Sequence, residues 1–190
     1  SDEMMFQILQ EHEPDFSAEI CEGVTIDDLD IEAIRILKQK YATKQKNPDF
    51  LTLPDEQVLS DLQLIKENKV TNAALILVGK QEVLNAKLPQ AAVFLEYRKS
   101  ESLVPYTNRQ EYRQPFYKMI DHLWHDIDLR NDKIDVKENS YIFNIPYFNE
   151  EVIREAINNA ITHRDYRRNS ETVIMQYPQK MVIINIGGFP

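Results

Sequence analysis

The segment Glu151–Tyr166, EVIREAINNAITHRDY, constrains this chain more than any other, because its side chains sort at the helical repeat. Val152, Ile153, Ala156, Ile157, Ala160 and Ile161 supply apolar packing surface. Residues four apart stack one above another on an α-helix, so Glu155, Asn159 and His163 share a face. The spacing predicts a helix over 150–163 that lines one wall of a pocket with a carboxylate, a carboxamide and an imidazole. Two β-rich segments follow, Glu171–Tyr177 and Met181–Asn185, with a turn at Pro178-Gln179-Lys180. Then comes Asn185-Ile186-Gly187-Gly188-Phe189-Pro190, whose glycine pair lets backbone approach a ligand closely.

The residue types on that face suggest a chemistry. A helix carboxylate can take a proton from an attacking water, and a carboxamide oxygen one turn later is a hard ligand suited to a magnesium ion bridging phosphates. Asn158 lies about 100° around the helix from Asn159 and takes no ligand role. Glu and Asn at this spacing also occur on many surface helices, so the spacing alone does not single out a nucleotide site.

Upstream, Thr25 and Asp28 fit a capping box opening a helix to about Ala42, with Leu29, Ala33, Ile36 and Leu37 inward. A polar stretch, Lys44–Phe50, leads to a second helix from Pro54 to about Glu67. A turn at Asn68-Lys69 and an apolar, β-rich run over Ala73–Val78 follow. That order suits a winged-helix-like arrangement, but Asp55, Glu56, Asp61 and Glu67 give the second helix the wrong sign for nucleic-acid recognition. Ala91–Arg98 is predicted as a strand, Gln110–Leu129 as a long helix, and Lys133–Val136 with Ser140–Ile145 as a hairpin. The fold class expected is α/β in the broad sense, α+β, with a mixed middle region.

Hydrophobic residues make up 43% and charged residues 28%, enough for one to two small domains. No apolar run is long enough to span a bilayer, so no membrane partner is expected and a cytoplasmic location is. Cys21, the single cysteine, excludes an internal disulfide. A net charge of −9 argues against this chain holding DNA by itself, since phosphate binding rests on basic surface. Arg164, Arg167 and Arg168 form a basic cluster near the helix end, equally suited to phosphate, to a solvated loop or to pairing with acidic side chains. His122 and His125, flanked by Asp121 and Asp126, are better explained as a solvated helix face than as a metal site, because zinc needs at least three protein ligands.

The pairing of R-E-A-[IL]-x-N-A-[IV]-x-H-R-D-Y, here Arg154–Tyr166, with a later N-x-G-G-[FL]-P resembles the start of the GHKL-type ATPase module in a group of prokaryotic transcriptional regulators. Those proteins begin with a Schlafen-type AlbA-like DNA-binding domain, and some are labelled RecG-related helicases. Val24–Asp30 (VTIDDLD) and Thr71–Lys80 (TNAALILVGK) are similar to further segments of that group, so the resemblance runs from about residue 24 to the end. It implies a division into 1–20, the end of an AlbA-like domain whose Ser1–Phe16 is an amphipathic helix; 21–148, the middle region; and 149–190, the start of a Bergerat-type α/β sandwich. It implies Glu155 as general base, Asn159 as magnesium ligand, and Asn185, Gly187, Gly188 and His163 as nucleotide-facing residues. ATP and Mg are the implied cofactors. DNA, bound through a domain preceding this chain, and a second copy of the protein are the implied partners. The chain would be the central piece of a DNA-binding regulator, its lid and second glycine box lying further on. The alternative is a non-catalytic scaffold or dimerisation module with an ATPase-like fold. One difference stands out: GHKL enzymes carry D-x-G-x-G, where the Asp contacts adenine, and this chain has Asn185.

Overall fold

The computed structural model describes residues 15–101 and 106–185. The chain divides into two compact units, Ser1–Val83 and Leu84–Pro190, and mixes helices with small sheets, which places it in the α+β class. The helix expected over Ser1–Phe16 falls mostly outside the described residues; Phe16 itself opens a 3-10 turn, Phe16–Ala18.

In the first unit the capping box at Thr25 forms, with Asp28 Oδ2 accepting from Thr25 N at 2.8 Å, but it closes only a 3-10 turn, Ile26–Asp28. The helix expected from Thr25 starts later because Asp30 N donates to Val78 O (2.7 Å) rather than to a carbonyl within a helix. Asp30 then caps α1 (Ile31–Gln45), accepting from Ala33 N at 3.0 Å, and Lys46 ends it at φ 53°. Within the stretch expected as a polar connection, Phe50 is buried against Tyr41, ring centroids 4.5 Å apart.

Helix α2 (Asp55–Asp61) is shorter than the expected run to Glu67. Gln63, Glu67 and Asn68 sit at positive φ, which a helix does not accommodate; Glu67-Asn68 instead turns a hairpin of β1 (Ile65–Lys66) and β2 (Lys69–Val70). The run Ala73–Val78, expected as β-rich, is helix α3 (Asn72–Val78). Thr71 Oγ1 accepts from Ala74 N (3.2 Å) and donates to Leu64 O (2.8 Å), fixing the helix start. Ala74, Leu75, Ile76 and Val78 are all buried, and a short run buried on nearly every side carries no periodicity that tells helix from strand. The winged-helix-like arrangement thereby loses the β segment on which it rested. Helix α4 (Gln81–Lys87) crosses from the first unit into the second.

In the second unit β3 (Val93–Tyr97) pairs with β4 (Asn108–Tyr112). The long helix expected from Gln110 is therefore shorter: Gln110–Tyr112 completes β4, and Pro115, which disfavours helical backbone in the residue before it, sets the start of α5 (Phe116–Asp128). A hairpin follows, β5 (Lys133–Glu138) and β6 (Tyr141–Pro146), turning where Asn139 adopts φ 55°. Then come α6 (Glu150–Thr162), β7 (Thr172–Gln176) and β8 (Met181–Ile184), close to the limits expected.

The main sheet runs β4-β3-β7-β8, with β3 and β7 parallel from Val93 opposite Thr172 to Tyr97 opposite Gln176. This sheet takes strands from both sides of residue 148, so the boundary expected at 148/149 falls inside one unit. Ile120, Leu123 and Ile127 of α5, Ile153, Ile157 and Ile161 of α6, and Ile174 of β7 form its core. Buried Gln176 donates from Nε2 to Ile127 O (2.9 Å) and Arg130 O (3.2 Å), tying the sheet to the last turn of α5.

Candidate functional site

Helix α6 is fixed at both ends and along one side. At its start Asn149 Oδ1 accepts from Val152 N (3.2 Å), and Glu150 and Glu151 in the first turn complement the positive end of the helix dipole. Ile153, Ile157 and Ile161 are buried at four-residue spacing. Glu155, Asn159 and His163 stand two residues on from that stripe, about 200° around the helix, and are exposed on the opposite side. Among the described residues none of their three side chains makes a hydrogen bond or ion pair. The neighbouring cation, Arg154, is engaged elsewhere, with Glu150 Oε1 and Asp121 Oδ1, each at 2.7 Å. The Glu155 carboxylate and the Asn159 carboxamide thus both stand open to solvent.

The far end of the helix shows how the residues after it are used. The last carbonyls of a helix lack intrahelical donors. Here Asn159 O accepts from His163 N (2.9 Å), Ala160 O from Asn185 Nδ2 (2.5 Å), and Ile161 O from the Tyr166 hydroxyl (3.0 Å). Tyr166 is buried, and Gln90 Nε2 donates to its carbonyl at 2.6 Å. Burial pushes the Tyr166 hydroxyl pKa up to about 12, against a smaller opposing pull from Arg164.

Arg164, 6% exposed, lies over the Tyr166 ring at 5.2 Å and donates from Nη1 to Thr172 Oγ1 at 3.3 Å. Loss of water lowers its pKa below the ordinary guanidinium value, and its Nη2 is buried without a hydrogen-bond partner. Arg168 pairs with Asp165 (3.1 Å), whose other oxygen accepts from Arg167 N (3.1 Å). The three arginines therefore do not form one basic surface: the first packs inward and the third is held by its neighbouring carboxylate.

Asn185, expected to face adenine, gives its amide nitrogen to the helix carbonyl, leaving its carboxamide oxygen as an acceptor. An aspartate has no proton to donate at neutral pH and would set a negative charge against the negative end of the helix, which accounts physically for Asn at this position. Gly187 and Gly188 lie outside the described residues. On α5, His122 Nδ1 lies 3.1 Å from Gln114 Oε1, Asp126 accepts from the Tyr112 hydroxyl, and Asp121 holds Arg154. No group of three His, Cys, Asp or Glu among the described residues is placed to hold a metal ion. The capping roles of Gln176, Asn185 and Tyr166 were not anticipated from the sequence; the one signal was a carboxamide closing an otherwise apolar strand, TVIMQ.

A family described as a domain of unknown function (DUF8451) matches residues 3–94. No curated protein matches the chain. Among solved structures, that of the DIP2311 protein from Corynebacterium diphtheriae is similar over 98% of this chain, with a TM-score of 0.74 and 19% identity. The chain spans 36% of that protein's length, and the likeness is one of fold.

Proposed function

We propose that the second unit is the beginning of a GHKL-type nucleotide-binding module, in which the exposed face of α6 and the chain leaving β8 meet ATP. The observation that carries this reading is the hydrogen bond from Asn185 to Ala160 O, which brings the start of the glycine-containing segment beside the helix turn that bears Asn159. In this reading Glu155 takes the proton of a water attacking the terminal phosphate. The Asn159 carboxamide oxygen, exposed and unpartnered, fits as a ligand of a magnesium ion that would neutralise phosphate charge. The carboxamide oxygen of Asn185 accepts from the adenine amine, Gly187 and Gly188 present backbone, and His163 stands at the phosphate end. The whole protein would be a cytoplasmic, DNA-binding transcriptional regulator whose nucleotide state biases its hold on DNA. No helix among the described residues is long and apolar enough to cross a membrane.

A second reading, a scaffold or dimerisation module with an ATPase-like fold, draws on the same residue: Asn185 serves the helix end directly, a use that needs no nucleotide. ATP titration and hydrolysis in the natural full-length protein separate the two. Glu155→Ala is expected to abolish hydrolysis, a loss of about 100-fold or more, while sparing ATP binding. Asn159→Ala is expected to weaken binding only when magnesium is present. Absence of both ATP binding and hydrolysis in the unsubstituted full-length protein would favour the scaffold.

A further inference from the structure

The β5–β6 hairpin has two unlike faces. Its register sets Ile134 opposite Ile145, Val136 opposite Phe143 and Glu138 opposite Tyr141, and paired residues project on the same side. One face is therefore Ile134, Val136, Tyr141, Phe143 and Ile145 with Glu138 at the tip. The other is Lys133, Asp135, Lys137, Ile142, Asn144 and Pro146, where Asn144 Nδ2 donates to Asp135 Oδ1. The apolar face is continuous: the Tyr141 and Phe143 rings lie 6.4 Å apart. It is also open, with Ile134 39%, Val136 37%, Tyr141 70%, Phe143 49% and Ile145 46% exposed. A two-stranded ribbon is marginal by itself in water, and a contiguous apolar face of this kind marks an interaction site.

We propose that this face is a homodimerisation surface on which the hairpin of a second copy of the chain lies, apolar face to apolar face, about a two-fold axis. Area supports that occupant: the five side chains offer roughly 500 Å² per copy, hence on the order of 1,000 Å² in all, about the least a specific interface needs. Shape supports it, because every rung of this face carries at least one apolar side chain, so apolar meets apolar at each level when the face is turned antiparallel on itself, with the Tyr141 end of one copy over the Ile134 and Ile145 end of the other and Glu138 at the rim. Charge supports it too. The chain carries −9, yet on the hairpin Lys133 and Lys137 balance Asp135 and Glu138, so two copies meet here without net repulsion. The same balance disfavours a nucleic acid, which needs surplus cations.

The test is sedimentation of the chain across about 1 to 100 µM, the range in which an interface of this size associates. Wild type is expected to shift from monomer to dimer. Phe143→Glu should remain monomeric, and Ile142→Glu, on the opposite face, should dimerise as wild type does; unchanged thermal unfolding followed at Trp124 shows that both stay folded. Mild copper-phenanthroline oxidation gives an independent readout: Phe143→Cys should cross-link to itself and Asn144→Cys should not, the native Cys21 being buried. A wild type monomeric throughout, equal loss of dimer in Ile142→Glu, or binding of the monomer to anionic phospholipid vesicles that Phe143→Glu removes would each overturn the proposal.

Discussion

At the scale of single residues, the recurring device is a carboxamide at or just past the end of a strand that satisfies the end of a helix. Gln176 does this for α5 and Asn185 for α6, each supplying donors where the helix leaves carbonyls bare. The consequence for Asn185 can be measured. Asn185→Asp removes the donor and brings negative charge to the negative helix end, so it is expected to cost about 1 to 3 kcal/mol in urea denaturation at neutral pH. The fold should hold that carboxyl above its unfolded value, so the deficit is largest at neutral pH and shrinks as the pH falls toward about 4, where the side chain protonates. A variant as stable as wild type would show that Ala160 O does not depend on this donor. Glu155, Asn159 and His163 were legible as one row because four-residue spacing fixes them relative to the helix whatever packs behind it; that the row is exposed came from the structure. The inward packing of Arg164 was not legible, since it depends on Thr172 of β7 and the ring of Tyr166.

Among elements, α6 and β7 were readable nearly to the residue, because α6 buries one four-residue stripe and β7 alternates between buried and half-buried sides; β8 shows no such alternation, and the turn residues Pro178-Gln179-Lys180 before it marked its start. Helix α3 was not, as a short segment buried almost all round has no polar side to reveal its period. What makes it a helix is its ends. Thr71 caps the start, and Gly79 N closes the end by donating to Leu75 O at 3.0 Å, while Val78 O and Lys80 N bond to Asp30 N and Asp28 O. A Cβ on Gly79 would lie 2.5 Å from Leu75 O and from the Leu75 side chain. Gly79→Ala is therefore expected to destabilise the first unit by on the order of 2 kcal/mol, through backbone displacement at that junction. A chemical-denaturation midpoint unchanged from wild type would contradict this account.

For the whole molecule, the second unit carries a built-in sensitivity to alkali. The Tyr112 and Tyr166 hydroxyls both titrate above the ordinary tyrosine range, chiefly because burial disfavours the phenolate, and Tyr112 also donates to Asp126. A pKa raised by folding stabilises the protein below the unfolded value of about 10, and that contribution is lost as pH climbs toward the folded values. Trp124, the single tryptophan, lies on α5 of this unit, so its fluorescence in urea should show the midpoint falling between about pH 10 and about pH 12, with a shallower fall in Tyr166→Phe. By itself the sequence determined the α+β class, the amphipathic helix with its Glu-Asn-His row on one face, and the strands that follow, because hydrophobic period and capping residues act over a few positions. Only the tertiary structure decided that β3 pairs in parallel with β7 across residue 148, that Asn185 and Tyr166 close the end of α6, and that the β5–β6 hairpin, its apolar face included, stands uncovered. Those outcomes depend on which distant segment meets which, and local spacing does not encode it.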